Sequence, residues 1–382
     1  MGRDLLDSGP GPPLMEDTMT ATPEVVRLAD RLRPAAPPER PLKIFFWPAN
    51  LEDGCATYRI KIPGAELSRL GHEVRISQRM DAEAREDADV IVGQRLATAP
   101  PSAMWQLLCA EAKRQGRRRM VYEVDDDLFN IDPTVNPHAE MFHIPAVRTN
   151  MIDNLRAADL VTVTTEPLAA VLRQWNRNVA VIPNAVRAEV FDIPAPSRRG
   201  KDAGRIVYGW QGSATHHQDW LQAEEAMFQL LTTDGVSQLR FLGTPHWGRL
   251  VSRGVAVDRI DALGWTTDIS AYYKRVSKFD VTLAPLADTT FNRSKSGLRV
   301  QESLALGIPV VASNVPAYRP WVRHGVDGFL VDTPEEWLEA LRAFADPGLR
   351  RTMGEAGRLA AVAWSVEATA HRWVDAYRTL QT

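Results

Sequence analysis

One alternation runs through this chain twice: a short apolar strand, a polar loop, then a helix. It opens at Leu42 to Trp47, passes through the loop Pro48 to Arg59 into a helix reaching Leu70, and resumes with a strand at Val74 to Ser77. Strands at Ala88 to Gly93, Arg119 to Asp127, Ala158 to Thr165 and Val179 to Asn184 continue it, with helical stretches between them, among them one from His138 to Ala157. The pattern restarts at Arg205 to Trp210 and runs through Leu239 to Gly243, Val257 to Leu263, Asp280 to Leu286 and Pro309 to Ser313. Strand, loop and helix in that order predict parallel, doubly wound sheets. Two rounds predict two such domains, an expectation that 382 residues accommodate. Ligands of such sheets bind outside the carboxyl ends of the strands. The loops that follow strands are therefore where site residues are sought.

Hydrophobic residues make up 45% of the chain, enough for two cores. The 45 basic and 48 acidic residues leave a net charge of −3, which gives no global attraction to nucleic acid or anionic membranes. One local cluster, Lys113-Arg114 with Arg117-Arg118-Arg119, is basic. It reads as a solvated helix end or as a contact for acidic lipids or a polyanionic acceptor. The two cysteines, Cys55 and Cys109, match no metal spacing and favour a reduced, cytoplasmic setting. No apolar run is long enough to span a bilayer, and the acidic, Pro-rich start lacks the apolar segment of a signal peptide. Residues 1–40 read as a disordered tail with a short helix around Glu24 to Leu32. Domains are expected over 41–188 and 205–363, with a linker over 189–204 and a final helix over 364–382.

Four loops carry candidate chemistry. The first, Pro48 to Arg59, holds Gly54, Tyr58 and Arg59 and is either a ligand loop or a plain strand–helix connection. The second is Asp125-Asp126-Asp127, three carboxylates that repel one another and need a cation, an arginine or a donor hydroxyl nearby. These aspartates either face a ligand or cap the next turn. The third, after the strand ending at Trp210, offers Gly212 and Ser213 to a phosphate; His216 and His217 beside them have no third metal ligand at useful spacing. The fourth is the stretch from Phe291 to Ser313. Its loop presents Asn292, Arg293, Ser294 and Lys295, and a helix capped by Ser294 or Ser296 and closed by Gly307 follows. Unpartnered N–H groups at that helix start, room for a ligand at Gly297, and Arg293 and Lys295 in front make a phosphate site. Glu302 shares a stripe with Leu298, Ala305 and Leu306, so it lies on or beside the buried face and needs a partner. That partner is either a ligand hydroxyl or Arg299 one turn earlier.

This fourth stretch resembles the donor-binding signature of family 4 retaining glycosyltransferases of the GT-B fold: Gly297-Leu298, Glu302, Ala305-Leu306-Gly307, then Pro309 to Ser313. Val181-Ile182-Pro183-Asn184-Ala185-Val186 resembles the family's interdomain crossover, and Trp364-Ser365 the turn before its last helix. The resemblance implies an α/β fold of two facing Rossmann-like domains with a cleft between them and a carboxyl-terminal helix crossing back to the first. It implies transfer of a sugar from a nucleotide-sugar to an acceptor, with retention, no covalent protein intermediate and no essential metal. The nucleotide-sugar is a substrate, and no cofactor is implied. Donor binding falls to Glu302 (on the ribose), Gly297, Leu298, Gly212 and Ser213. Stabilisation of the leaving diphosphate falls to Arg293 and Lys295. Ser294 stands where the family has a second glutamate that contacts the sugar. Asp126 and Asp127 are placed against the acceptor, as are Gly54, Tyr58 and Arg59, and the loop around Gly264-Trp265 is placed against the base. No acceptor is named: small molecule, glycan, lipid-linked or polymeric acceptors all fit. Cytoplasmic residence, with peripheral contact at the inner membrane face, accords with the basic cluster. A nucleotide-sugar 2-epimerase of the same fold, a non-catalytic sugar-nucleotide binding protein and a DNA-modifying glucosyltransferase are the rival readings, the last disfavoured by the charge balance.

Overall fold

The computed structural model describes residues 40–136, 139–194 and 204–379. The Pro-rich tail with its short helix and most of the expected linker lie outside the described residues. Two six-stranded sheets, parallel throughout, account for the two rounds of the alternation. The first holds β1 (Lys43–Pro48), β2 (Glu73–Ile76), β3 (Val90–Gln94), β4 (Arg119–Val124), β5 (Leu160–Val163) and β6 (Val179–Val181) in the order 2-1-3-4-5-6. The second holds β7 (Ile206–Gly212), β8 (Ser237–Gly243), β9 (Ile260–Leu263), β10 (Val281–Ala284), β11 (Val310–Ser313) and β12 (Gly328–Val331) in the order 12-11-10-7-8-9. Strand order reverses at β1/β3 in one sheet and at β7/β10 in the other, the crevices where doubly wound sheets take ligands. The sequence reading passed over β12, a Gly-started strand whose middle residues are only half-buried.

The helices follow from capping and punctuation. The chain leaves β1 through a helical turn, Gly54–Ala56, capped by Asp53. It then passes through a π turn, Thr57–Lys61, into α1 (Ile62–Arg69). Helix α2 (Ala99–Gln115) stops at Gly116, whose φ of 64° is the left-handed conformation that ends helices. The single helix expected from His138 to Ala157 is broken, because Pro145 forces the residue before it out of the helical region. Ile144 is extended there, and α3 (Pro145–Ala157) begins at the proline. The second domain adds α4 (His217–Thr233), α5 (Ile269–Val276), α6 (Leu298–Ala305), α7 (Pro334–Ala343) and α8 (Pro347–Ala361). Gly209 in β7 is required by packing: a Cβ there would lie 2.0 Å from the ring of Phe279.

The last helix, α9 (His371–Arg378), belongs to the first domain's core. Its Trp373, Val374 and Tyr377 pack with Ile44, Phe46, Leu67 and Val92 on one face of the first sheet. The chain gets there through a parallel bridge between Val186 and Ser365, with the Val366 amide donating to the Val186 carbonyl at 2.8 Å. Helix α9 therefore crosses back, as the resemblance implies.

Candidate active site

Two cavities lie between the carboxyl ends of the two sheets, one of about 510 Å³ and one of about 840 Å³. Asp126, at the end of β4, and Lys295, before α6, line both and form the neck between them. Lys295 Nζ is 3.9 Å from Asp126 Oδ1 and lies 4.5 Å over the ring of Phe291. This is a loose pair across the cleft, with donors and acceptors to spare.

Glu302 lies in the smaller cavity, on α6, and is 3% exposed. It does not pair with Arg299, whose guanidinium packs over the Trp210 ring instead. Two tyrosine hydroxyls, one from each domain, donate to its carboxylate: Tyr58 from the π turn to Oε1, and Tyr272 on α5 to Oε2 at 2.8 Å. Burial dominates its ionisation and pushes its pKa up to about 7, although both hydroxyls and the Arg299 charge oppose that rise. Burial also raises the phenol pKa values of Tyr58 and Tyr272, so both remain donors. Tyr58 and Arg59 both lie in the π turn and point apart, 58 to Glu302 and 59 to Glu123.

Tyr58 was expected on the acceptor side and stands instead on the carboxylate expected to hold the ribose. Arg59, expected beside it, is fully buried away from the cleft. Its guanidinium pairs with Glu123 at 2.7 and 3.1 Å, donates to the Ile182 carbonyl at 2.6 Å, and stacks on Trp373 at 4.7 Å. It holds β4, β6 and α9 together and cannot reach a ligand.

The other expected residues divide in the same way. Gly54, Leu298, Asp126 and Lys295 line the smaller cavity, as do Trp265 and Asn184. Asp127 does not: it accepts from the Phe129 amide and from Asn130 Nδ2 at 2.8 Å, capping the turn after β4. Arg293 points to solvent and pairs with Asp288 at 2.6 and 2.9 Å, lining neither cavity. Ser294 is buried, and its carbonyl accepts from Thr165 Oγ1 of the other domain at 2.7 Å. Gly297 is required by packing, since a Cβ there would lie 2.2 Å from the Trp321 ring, while its neighbours Ser296 and Leu298 line the smaller cavity. It forms the N-cap of α6 without any side-chain cap, so neither Ser294 nor Ser296 caps that helix. Gly212 makes room for the Trp210 ring, and Ser213 Oγ bonds Thr215 Oγ1. His216 faces the larger cavity, but Asp219 holds its Nδ1 at 2.7 Å, and burial lowers its pKa to about 4.

Three cleft residues gave no signal in the sequence. Tyr272 reads as one more apolar position on α5. Cys55 and Arg95 meet only in space, with Arg95 Nη1 donating to Cys55 Sγ at 2.8 Å. A φ of 53° at Arg95 marks it, and no residue pattern encodes that angle.

Among family profiles, one described as Glycosyl transferases group 1 matches residues 207–346, which carry β7 to β12 and the Glu302 helix. The second domain is a group 1 glycosyl transferase domain. Curated relatives include D-inositol 3-phosphate glycosyltransferases of Corynebacterium urealyticum, 36% identical over 106 residues, and of Nocardioides sp., 35% identical over 127 residues. These matches cover 27% and 31% of this chain, which spans only about a quarter of the relatives' own length (24% and 28%). The glycosyl transferase domain and its partner together superpose on whole solved proteins. A sucrose-phosphate synthase from Thermosynechococcus elongatus gives a TM-score of 0.62 at 16% identity, over 88% of this chain and 99% of that one. Anabaena HepE in complex with UDP-glucose gives 0.61 at 16% identity, over 89% and 100%. The fold is therefore GT-B, with both domains present and facing one another.

Proposed function

We propose that the protein is a glycosyltransferase that moves a sugar from a nucleoside diphosphate sugar, seated in the smaller cavity, to an acceptor in the larger one. The observation that carries this reading is Glu302, a buried carboxylate at the floor of a cleft between two doubly wound sheets. Both its oxygens are held by hydroxyls, which a ribose diol could replace group for group. Trp265 offers a flat apolar face for the base, on the same wall as Tyr272. Lys295 at the neck is placed to meet charge developing on a departing diphosphate, where a low-dielectric cleft strengthens the interaction. Asp126 faces it and can accept from an acceptor hydroxyl. Retention without an essential metal is the stereochemical and cofactor reading we adopt from the family resemblance. The anomeric configuration of the product and turnover in excess chelator test these two points. A second, larger chamber beside the donor cavity favours transfer over 2-epimerisation, which needs no acceptor.

A thermal-shift panel of UDP, GDP, dTDP and ADP with their common sugar conjugates tests the donor site, with UDP-glucose first because HepE was solved with it. The relatives' name puts an inositol phosphate among the first acceptors to try. A ligand that binds only the folded state raises the melting midpoint. One nucleotide should do so, and Glu302→Ala should abolish the shift. A folded protein that responds to none of them contradicts the reading.

We also read the outward side of α2 as a contact for an anionic bilayer. It exposes Met104 and Leu107 along one side and Lys113, Arg114 and Arg117 at its end. Its one carboxylate, Glu111, is paired with Arg85.

A further inference from the structure

Arg95 is the one non-glycine residue, among those described, with a positive φ. A long side chain adopts that conformation only where the surroundings impose it, and such strain concentrates at ligand sites. The surroundings here are explicit. The Arg95 amide donates to the Glu123 carbonyl at 3.1 Å. Tyr122 Oη and Asn154 Nδ2 donate to the next carbonyl, that of Leu96, at 2.5 and 2.7 Å. The loop after β3 is thus pinned from beneath, and the arginine is turned into the cleft, where it lines the larger cavity.

Its guanidinium is only partly used. Nη1 donates to Cys55 Sγ and lies 3.7 Å from Asp125 Oδ1, too far for a hydrogen bond, and Asp125 Oδ1 has no hydrogen-bond partner among the described residues. Nε and Nη2 donate to no described residue, and the side chain is 20% exposed, toward the chamber. The ring of Phe142 lies 5.7 Å beneath it. Asp125 and Asp126 offset this cation's charge, and the chamber itself is lined by Asp126, Asp132 and Asp219 against Arg95 and Lys295, so an anionic ligand would meet three carboxylates for two cations. Unused N–H donors, the Asp126 carboxylate in its loose pair with Lys295, and the hydroxyls of Thr134 and Thr290 suit a ligand rich in hydroxyl groups.

We propose that the larger chamber is a subsite for a neutral, polyhydroxylated acceptor, a sugar or cyclitol without a charged group, and that Arg95 positions it. This rests on the transferase reading above. The arginine donates from Nε and Nη2 to acceptor oxygens and turns the attacking hydroxyl toward Asp126 and the neck. It is a positioning residue and takes no part in bond making.

The test uses the full chain and whichever nucleotide-sugar the thermal panel selects. Glucose, maltose and myo-inositol are the neutral acceptors, against glucose 6-phosphate and n-octanol. Product is expected with a neutral polyol. Arg95→Gly should raise the acceptor KM about tenfold or more, the loss of hydrogen bonds from a charged donor. It should leave the donor KM within about twofold; glycine accepts the left-handed backbone without strain, which offsets part of the stability lost with the contacts to Cys55, Asp125 and Phe142. Arg95→Lys, which keeps the charge and loses the planar fork, should fall between. An unchanged acceptor KM in Arg95→Gly overturns the proposal. So does product only from glucose 6-phosphate, the inositol phosphate named above or octanol, or donor binding with no product from any neutral polyol. Failure to bind any nucleotide-sugar instead refutes the transferase reading beneath it.

Discussion

At the scale of single residues, Glu302 gives up stability above neutral pH. Its folded pKa of about 7 lies above the ordinary 4.5. A carboxyl shifted in this direction contributes stability below about pH 4.5 that is lost as the pH rises through about 7. Glu302→Gln should remove that slope, making the variant more stable than the wild type near pH 8 by up to about 3 kcal/mol. Urea unfolding of both proteins near pH 5 and pH 8 checks this, and the variant should no longer respond to the donor nucleotide. Donor affinity of the wild type should rise as pH passes through about 7, when the carboxylate becomes the stronger acceptor. The two cations expected to act together should separate under mutation. Lys295→Ala should lower turnover by about two to three orders of magnitude if it meets the leaving diphosphate. Arg293→Ala, which breaks only an exposed pair with Asp288, should leave turnover and the melting midpoint unchanged; steady-state rates of the two variants decide.

At the scale of elements, the strands were legible because buried parallel strands leave near-continuous apolar runs, as in Val90-Ile91-Val92 and Val310-Val311-Ala312. A helix end was legible where glycine takes a left-handed φ, at Gly307. What the glycines at 212 and 297 make room for was not legible, because a sequence shows that a side chain is absent, not what fills the space: there the Trp210 and Trp321 rings stand where a Cβ would be. The π turn was invisible for a similar reason: apolar spacing assumes a regular helix, and Tyr58 and Arg59 both fall in the irregular turn. The outward face of α2 yields its own test. The protein should sediment with phosphatidylglycerol vesicles and not with phosphatidylcholine, less so at high salt. Lys113→Glu with Arg114→Glu should release it; equal sedimentation of wild type and variant would refute the bilayer contact.

At the scale of the whole molecule, the chain's end completes its beginning. Trp373 is 3% exposed and packs on the first sheet and on Arg59. Trp373→Ala should cost about 3–5 kcal/mol, felt as unfolding of the first domain although the residue is nearly 200 positions beyond that domain's last strand. Limited proteolysis should then cut within 43–181 before it cuts the second domain. Tyr58 ties the halves in a different sense. Its hydroxyl bridges the cleft to Glu302, so a ribose seated on that carboxylate, as proposed, would have to displace it. A nucleotide then waits for the gate: its observed association rate should climb with concentration and level off at the opening rate. In Tyr58→Phe the plateau should rise and the apparent affinity tighten by the population that opening had withheld. Stopped-flow mixing reads both, and a rate that stays linear in nucleotide would mean that the bridge imposes no wait.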